Sequence, residues 1–259
     1  MAKQLQANRQ QTLPFGPEGT TLSVSRNHEF GLVIHGVEGQ SSGDYLHEAL
    51  LATDCREAFW KLIEQEGLVI CKNVATDHPG YRKVRGKSSK VKLSQAEYYH
   101  HDGCSCPTKP RVVEIRLPYQ EIERTVATAV APFADVVLAM LQTLPSSMVA
   151  DELKMPLERF SGARDEWPPA ESWDLIQGRV TRIVRKEMSA ESCRAYFRDV
   201  DHQANAYVKP WEMGESRLML NNTGNLSTTM QHRRAYQPAD QTAAQNGSLV
   251  KRWPAEELE

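Results

Sequence analysis

Apolar positions along the chain recur with two different periods. Residues 21–39, TLSVSRNHEFGLVIHGVEG, alternate and are rich in β-branched side chains, which predicts strands. Residues 43–67, GDYLHEALLATDCREAFWKLIEQEG, carry apolar groups at helical spacing and end at glycine, which predicts a helix. LVICKNV, residues 68–74, is continuously apolar, β-branched and too short for an independent helix, so it reads as a buried strand. The chain therefore opens strand, helix, strand. Further on, PRVVEIRLPY (110–119) predicts a strand bounded by prolines, APFADVVLAMLQTLP (131–145) an amphipathic helix, and residues 172–200 more helix. SRLMLNN (216–222) and SLVKRW (248–253) are short strand candidates on either side of His232, and the polar run 238–248 reads as a loop. Residues 81–94, YRKVRGKSSKVKLS, set Arg82, Lys83, Arg85, Lys87, Lys90 and Lys92 around glycine and serines with little apolar content, predicting a mobile basic loop.

Composition narrows the class. A chain of 259 residues, 40% hydrophobic and 25% charged, is long enough to bury a substantial core in one compact domain, with room for a lid. A net charge of −2 gives no electrostatic reason to expect nucleic acid. The polar start MAKQLQANRQQTLPFG lacks the apolar region of a secretory signal, and no later stretch is long enough to span a bilayer, so the expected location is the cytoplasm, with no membrane partner. Cys55, Cys71, Cys104, Cys106 and Cys193 are odd in number and mostly scattered, which is not a disulfide framework.

The stretch YYHHDG, residues 98–103, carries the candidate chemistry. Two histidines and a carboxylate on one side of a metal leave three positions open, the arrangement of non-haem Fe(II) oxygenases. Residues two apart in a strand project to the same face, so His100 and Asp102 can grip one ion while His101 points away. Two other readings stand beside this one. His101 could join Cys104 and Cys106 in a zinc cluster, although no second C-x-x-C element accompanies them, or the pattern could be an ordinary surface sequence.

Most of the chain resembles the TauD/TfdA, clavaminate synthase-like group of Fe(II)/2-oxoglutarate-dependent oxygenases. GLVICKNV is similar to the family's early strand, YYHHDGCS to its metal-binding segment, PRVVEIRLPY to the next strand, and FADVVLAMLQTLP to the following helix. WEMGESRLMLNN resembles W-x-x-G-D-hydrophobic-x-x-D-N, and HRRAYQP resembles H-G-R-x-x-F-x-P. The resemblance implies a mixed α+β fold. Its core would be a double-stranded β-helix of jelly-roll or cupin-like type, flanked by helices drawn largely from residues 43–67 and 132–200, with 1–259 as a single domain. It implies His100, Asp102 and His232 as iron ligands, with 2-oxoglutarate and O2 as cosubstrates.

For the far carboxylate of 2-oxoglutarate the resemblance points first to Arg252 and then to Arg234. The chain departs from the family's R-x-L-x-R at Ser248. Thr128 is the candidate cosubstrate threonine, with Thr125 and Ala131 competing for that alignment. The implied reaction is hydroxylation of an unactivated C–H bond in a small, carboxylate-bearing metabolite, an amino acid or biosynthetic intermediate. Arg85 and Lys87 of the basic loop would meet its acid group. Desaturation belongs to the same scaffold. So does radical halogenation if His101 were the ligand and Gly103 stood at the carboxylate position. A non-catalytic 2-oxoglutarate-binding module is the remaining alternative, and the oligomeric state, a homo-oligomer included, is left open.

Overall fold

A computed structural model describes residues 11–14, 21–26, 30–37, 53–72, 82–84, 97–102, 110–116, 127–161, 170–209, 211–212, 214–221, 228–235 and 248–253. Eleven strands are described: β1 (Gln11–Pro14), β2 (Thr21–Arg26), β3 (Leu32–Val37), β4 (Leu68–Cys71), β5 (Arg82–Val84), β6 (Val112–Arg116), β7 (Ala127–Pro132), β8 (Tyr207–Lys209), β9 (Ser216–Leu220), β10 (Met230–Ala235) and β11 (Ser248–Trp253). With them run the helices α1 (Thr53–Glu66), α2 (Phe133–Thr143), α3 (Asp151–Ser161), α4 (Ala170–Glu187) and α5 (Ala190–Gln203). The strands form an eight-stranded sheet ordered β1-β2-β3-β4-β9-β6-β11-β5 and a three-stranded sheet ordered β10-β7-β8. β3 and β4, joined through α1, pair in parallel, whereas β9 pairs antiparallel with both β4 and β6.

Side-chain alternation sorts the core into three clusters and fixes the layers. Leu68, Ile70, Val113, Ile115 and Met219 point from the large sheet toward Val130, Tyr207 and Met230 of the small one. Val69, Val112, Leu218 and Leu220 point the other way, beneath Phe59, Trp60 and Ile63 of α1. On the outer face of the small sheet, Ala127, Ala129 and Ala131 let α2, α4 and α5 pack closely through Val137, Met140, Val180, Phe197 and Val200. Each of the larger aliphatic side chains in these clusters stabilises the fold by roughly 1.5–3 kcal/mol relative to exposure. β4 is apolar on both faces for this reason.

The expected α+β character is present, and several boundaries differ from expectation. α1 ends as predicted at Gly67, whose φ of +69° is a left-handed conformation and whose N–H caps Ile63 O at 2.8 Å. Residues 43–52 of the expected helix lie outside the described residues. Residues 172–200 form two helices because Ser189 interrupts them, its hydroxyl accepting from Ser192 N–H at 3.1 Å as the cap of α5. Part of the expected loop 81–94 is a strand: Arg82, Lys83 and Val84 pair with Val250, Leu249 and Ser248 of β11. The rest of that segment lies outside the described residues. β7, β8 and β10 are strands that the apolar pattern did not predict, since ATAVAP is built of small residues and MQHRRA reads as polar. No described helix is long and apolar enough to cross a membrane.

Candidate metal centre

His100 meets His232 in an isolated antiparallel bridge beside β10. His100 N–H donates to His232 O at 3.1 Å and His232 N–H donates to His100 O at 3.3 Å. Partners in such a bridge project to the same side, and the His100 and His232 ring centres lie 4.5 Å apart. That side is the space between the sheets, because His232 also lies opposite Val130 of β7, an inter-sheet core residue. Asp102 completes the group. One ligand atom from each of His100, Asp102 and His232 can be chosen so that all lie within 4.8 Å of one another.

The tautomer of His100 follows from its neighbours. Nδ1 lies 2.7 Å from Tyr98 O, which can only accept, so Nδ1 carries the proton. In the neutral ring Nε2 then keeps its lone pair, and Asp102 Oδ1 lies 3.9 Å from it, too far for a hydrogen bond. His232 is buried while the side chains of His100 and Asp102 are 22% and 18% exposed, so one side of the group is open.

Asn221, at the end of β9, holds the carboxylate-bearing turn. Its Oδ1 accepts from Asp102 N–H at 2.9 Å, and its Nδ2 donates to Asp102 O at 3.0 Å and Pro110 O at 2.9 Å. From the sequence Asn221 stood only in the motif WEMGESRLMLNN, with no role of its own, and its neighbour Asn222 lies outside the described residues.

The residues that alternate with the histidines face the helices. Tyr99 and Arg233 both bond to Asp201 of α5, through Tyr99 Oη to Oδ1 at 2.7 Å and Arg233 Nε to Oδ1 at 2.8 Å. Gln231 and Gln177 of α4 exchange amide hydrogen bonds at 2.6 and 2.8 Å, and Gln231 Nε2 lies 3.4 Å from His101 Nδ1. His101 sits edge-on to Phe133 of α2, with ring centres 4.9 Å apart, and does not join the group formed by His100, Asp102 and His232. The register that would make His101 a ligand therefore lacks its geometry. None of Tyr99, Gln177, Asp201, Gln231 and Arg233 was singled out from the sequence. The available signal was polarity at the outward positions of two buried segments, since a buried polar side chain requires a partner.

Thr128 of β7 and Arg234 of β10 are direct cross-strand partners, and alternation places both on the face that carries His232. Trp211 Nε1 donates to Thr128 Oγ1 at 2.9 Å. Beside them Arg217 of β9, fully buried, donates to Thr128 O and Lys209 O at 3.2 Å each, pairs with Glu215 at 2.5 Å, and lies 4.0 Å from the Trp211 ring centre. Lys72 closes this network onto Glu215 at 2.6 Å, and its ammonium is held above the usual lysine range because the Glu215 and Glu212 contacts outweigh burial, the largest single influence. Arg252 lies in β11 opposite Val113. Arg85, Lys87, Gly103, Cys104, Cys106 and Thr125 lie outside the described residues, as does the zinc alternative built on them.

No family profile and no curated protein matches the chain. Among solved structures it is similar to a taurine dioxygenase from Burkholderia xenovorans, with 11% identity over 90% of this chain and 90% of that one and a TM-score of 0.48. It is similar to the PvcB protein from Pseudomonas aeruginosa, with 14% identity over 96% of each chain and a TM-score of 0.45. It is also similar to AAD-2 in complex with Mn(II) and N-oxalylglycine, with 12% identity over 90% of this chain and 97% of that one and a TM-score of 0.45. A further neighbour is a putative alpha-ketoglutarate-dependent taurine dioxygenase from Burkholderia xenovorans, with 11% identity over 90% of this chain and 92% of that one and a TM-score of 0.45.

Proposed function

We propose that the chain is a non-haem Fe(II)- and 2-oxoglutarate-dependent oxygenase that hydroxylates a C–H bond of a small, carboxylate-bearing metabolite. The observation that carries this reading is the convergence of His100, Asp102 and His232 on one open-sided point between two sheets. Two imidazoles and a carboxylate suit Fe(II) and leave room for a bidentate cosubstrate and O2. The residues fit the ion chemically as well, since the bond from His100 Nδ1 to Tyr98 O presents Nε2 unprotonated.

The strand order supports a double-stranded β-helix. β5-β11-β6-β9 forms one wall, and the His100 segment with β10-β7-β8 forms the facing wall. β1 to β4 extend the first wall.

When bound, Fe(II) with 2-oxoglutarate and O2 supplies the oxidising power for the C–H bond and yields succinate and CO2. The chain's own work is positioning. His100, Asp102 and His232 hold the ion, and Asn221 keeps the Asp102 turn in place. Thr128 and Arg234, on the His232 face, hold the far carboxylate of 2-oxoglutarate, with Arg252 as the rival cation. Arg85 and Lys87 meet the substrate's acid group.

An anaerobic titration with Fe(II) and 2-oxoglutarate, followed by its metal-to-ligand charge-transfer absorption, tests the reading. The band is expected in the wild type and absent in His232→Ala. Arg234→Met should raise the 2-oxoglutarate concentration needed at unchanged Fe(II) affinity, and the same effect in Arg252→Met instead would move the carboxylate to β11. No band in the wild type refutes the proposal.

A further inference from the structure

His100 and His232 come from positions about half the chain apart, and their backbones meet in a single bridge. What fixes the lateral spacing of the two segments lies on their other face. Tyr99 precedes His100, Arg233 follows His232, and in the antiparallel pairing these two neighbours stand across from each other. The geometry points to Asp201 of α5 as a positioning residue for the metal centre, its one carboxylate tying Tyr99 and Arg233 together and so setting the separation of His100 and His232. This inference rests on the metal site proposed above.

The carboxylate is built for this task. Asp201 is 7% exposed. Its Oδ1 accepts from Tyr99 Oη at 2.7 Å and from Arg233 Nε at 2.8 Å, while its Oδ2 accepts from Arg233 Nη2. A bidentate pairing of this kind fixes angle as well as distance. Arg233 is pinned further by Nη2 donating to Phe197 O at 3.2 Å, with its guanidinium 5.7 Å from the Tyr99 ring centre and 5.5 Å from that of Phe197. Burial works against the Arg233 charge, but the Asp201 contacts outweigh it and hold the guanidinium above its ordinary range. Burial, and then the Asp201 charge, push the Tyr99 hydroxyl well up, so it remains a donor.

Three charge-assisted bonds therefore converge on one helix-borne group, whereas the Gln177–Gln231 pair on the other flank is neutral. Asparagine at 201 would preserve volume. It would remove the charge and turn an amide NH2 toward Arg233 or Tyr99, so the fork could not close on both.

The test uses the full chain and Co(II) as an absorbing probe of affinity and ligand geometry, with no turnover required. Asp201→Asn is expected to bind Co(II) about tenfold or more weakly, the scale on which outer supports of metal ligands act. Its visible bands should shift in position and intensity while its far-ultraviolet circular dichroism stays that of the wild type. Tyr99→Phe, which deletes one bond and keeps the ring, should shift the bands in the same direction with a smaller loss of affinity. A merely structural role would lower the melting temperature and leave the spectrum of the bound ion unchanged, and that outcome in Asp201→Asn overturns the inference. If Asp201→Asn does not fold, Tyr99→Phe decides, and wild-type affinity and bands there overturn it equally. Failure of the metal reading is distinguishable: wild-type protein would bind no Co(II), or His232→Ala would bind it as well as the wild type, and the inference would fall with it.

Discussion

Gly67 stands where α1 turns into β4, and replacing it by alanine tests how tightly the fold holds the distal histidine. Its φ of +69° costs an L-residue about 1–2 kcal/mol. A Cβ built there would come 2.2 Å from Met230 Cε and 2.5 Å from Thr228 O. The methionine tip can rotate away, but the carbonyl belongs to the backbone leading into β10. Relief by moving it is resisted by Leu220 N–H donating to Gly67 O and Phe133 N–H donating to Thr229 O, both at 2.8 Å. Overpacking of this kind adds about 1–3 kcal/mol, so Gly67→Ala should destabilise by roughly 2–5 kcal/mol. Urea unfolding followed by circular dichroism reads this as a fall in the midpoint at unchanged slope. Because Met230 lies two residues before His232, whatever strain is relieved by sliding β10 should also appear as weaker metal binding. A variant within about 0.5 kcal/mol of the wild type, the range of ordinary surface changes, would refute the packing argument.

The remaining predictions concern the site and its surroundings. Alanine at His100, Asp102 or His232 should abolish iron-dependent succinate release, whereas His101→Ala should leave measurable turnover, since its ring packs on Phe133 outside the ligand group. Asn221→Ala removes three hydrogen bonds around Asp102 and should cost roughly 1.5–4.5 kcal/mol, at about 0.5–1.5 kcal/mol each. That cost is divided between the urea midpoint and metal affinity, and no change in either would refute the role given to Asn221. Burial, followed by the charge of Glu114, raises the Cys71 thiol far above its ordinary range, so Cys71 should resist alkylation at pH 8 in native protein and react once urea unfolds it, as mapped by mass spectrometry. Gly178 faces open space on α4, so Gly178→Ala should stabilise by up to about 1 kcal/mol in the same urea assay.

The pairing of His100 with Asp102 was legible because spacing and periodicity act together: they are two residues apart, and only one register puts both on the inner face, whereas His232 was reached through the family resemblance alone. β4 was legible because burial on both sides made it continuously apolar, and β6 and β9 because Val112 and Val113, and Leu218, Met219 and Leu220, are adjacent apolar residues buried on both faces. β10 was not. His232 and Arg234 serve the inner face, and Gln231 and Arg233 are paired with Gln177 and Asp201 on the outer one, so a fully sheeted segment carries almost no hydrophobic signal. β7 escaped for another reason, since its outer alanines are small to admit helices and its inner face carries the polar Thr128, which accepts from Trp211. Asp201 and Asn221 depend on contacts across 102 and 119 positions of sequence, which no local pattern records.

The bridge between His100 and His232 joins an early part of the chain to a late one, and this has a bearing on when the protein becomes competent. Pairings distant in sequence form slowly, because the intervening chain must be closed before the contact rewards it. The His100 segment joins the small sheet only through His232 of β10, which itself pairs with the distant β7, so the ligand group should be completed late in refolding, after α2, α4 and α5 have formed around their local contacts. Metal present during refolding would then leave the early rate untouched and slow unfolding instead, since it acts on an interaction absent from the transition state. An ion at this point would serve as a latch on the finished molecule.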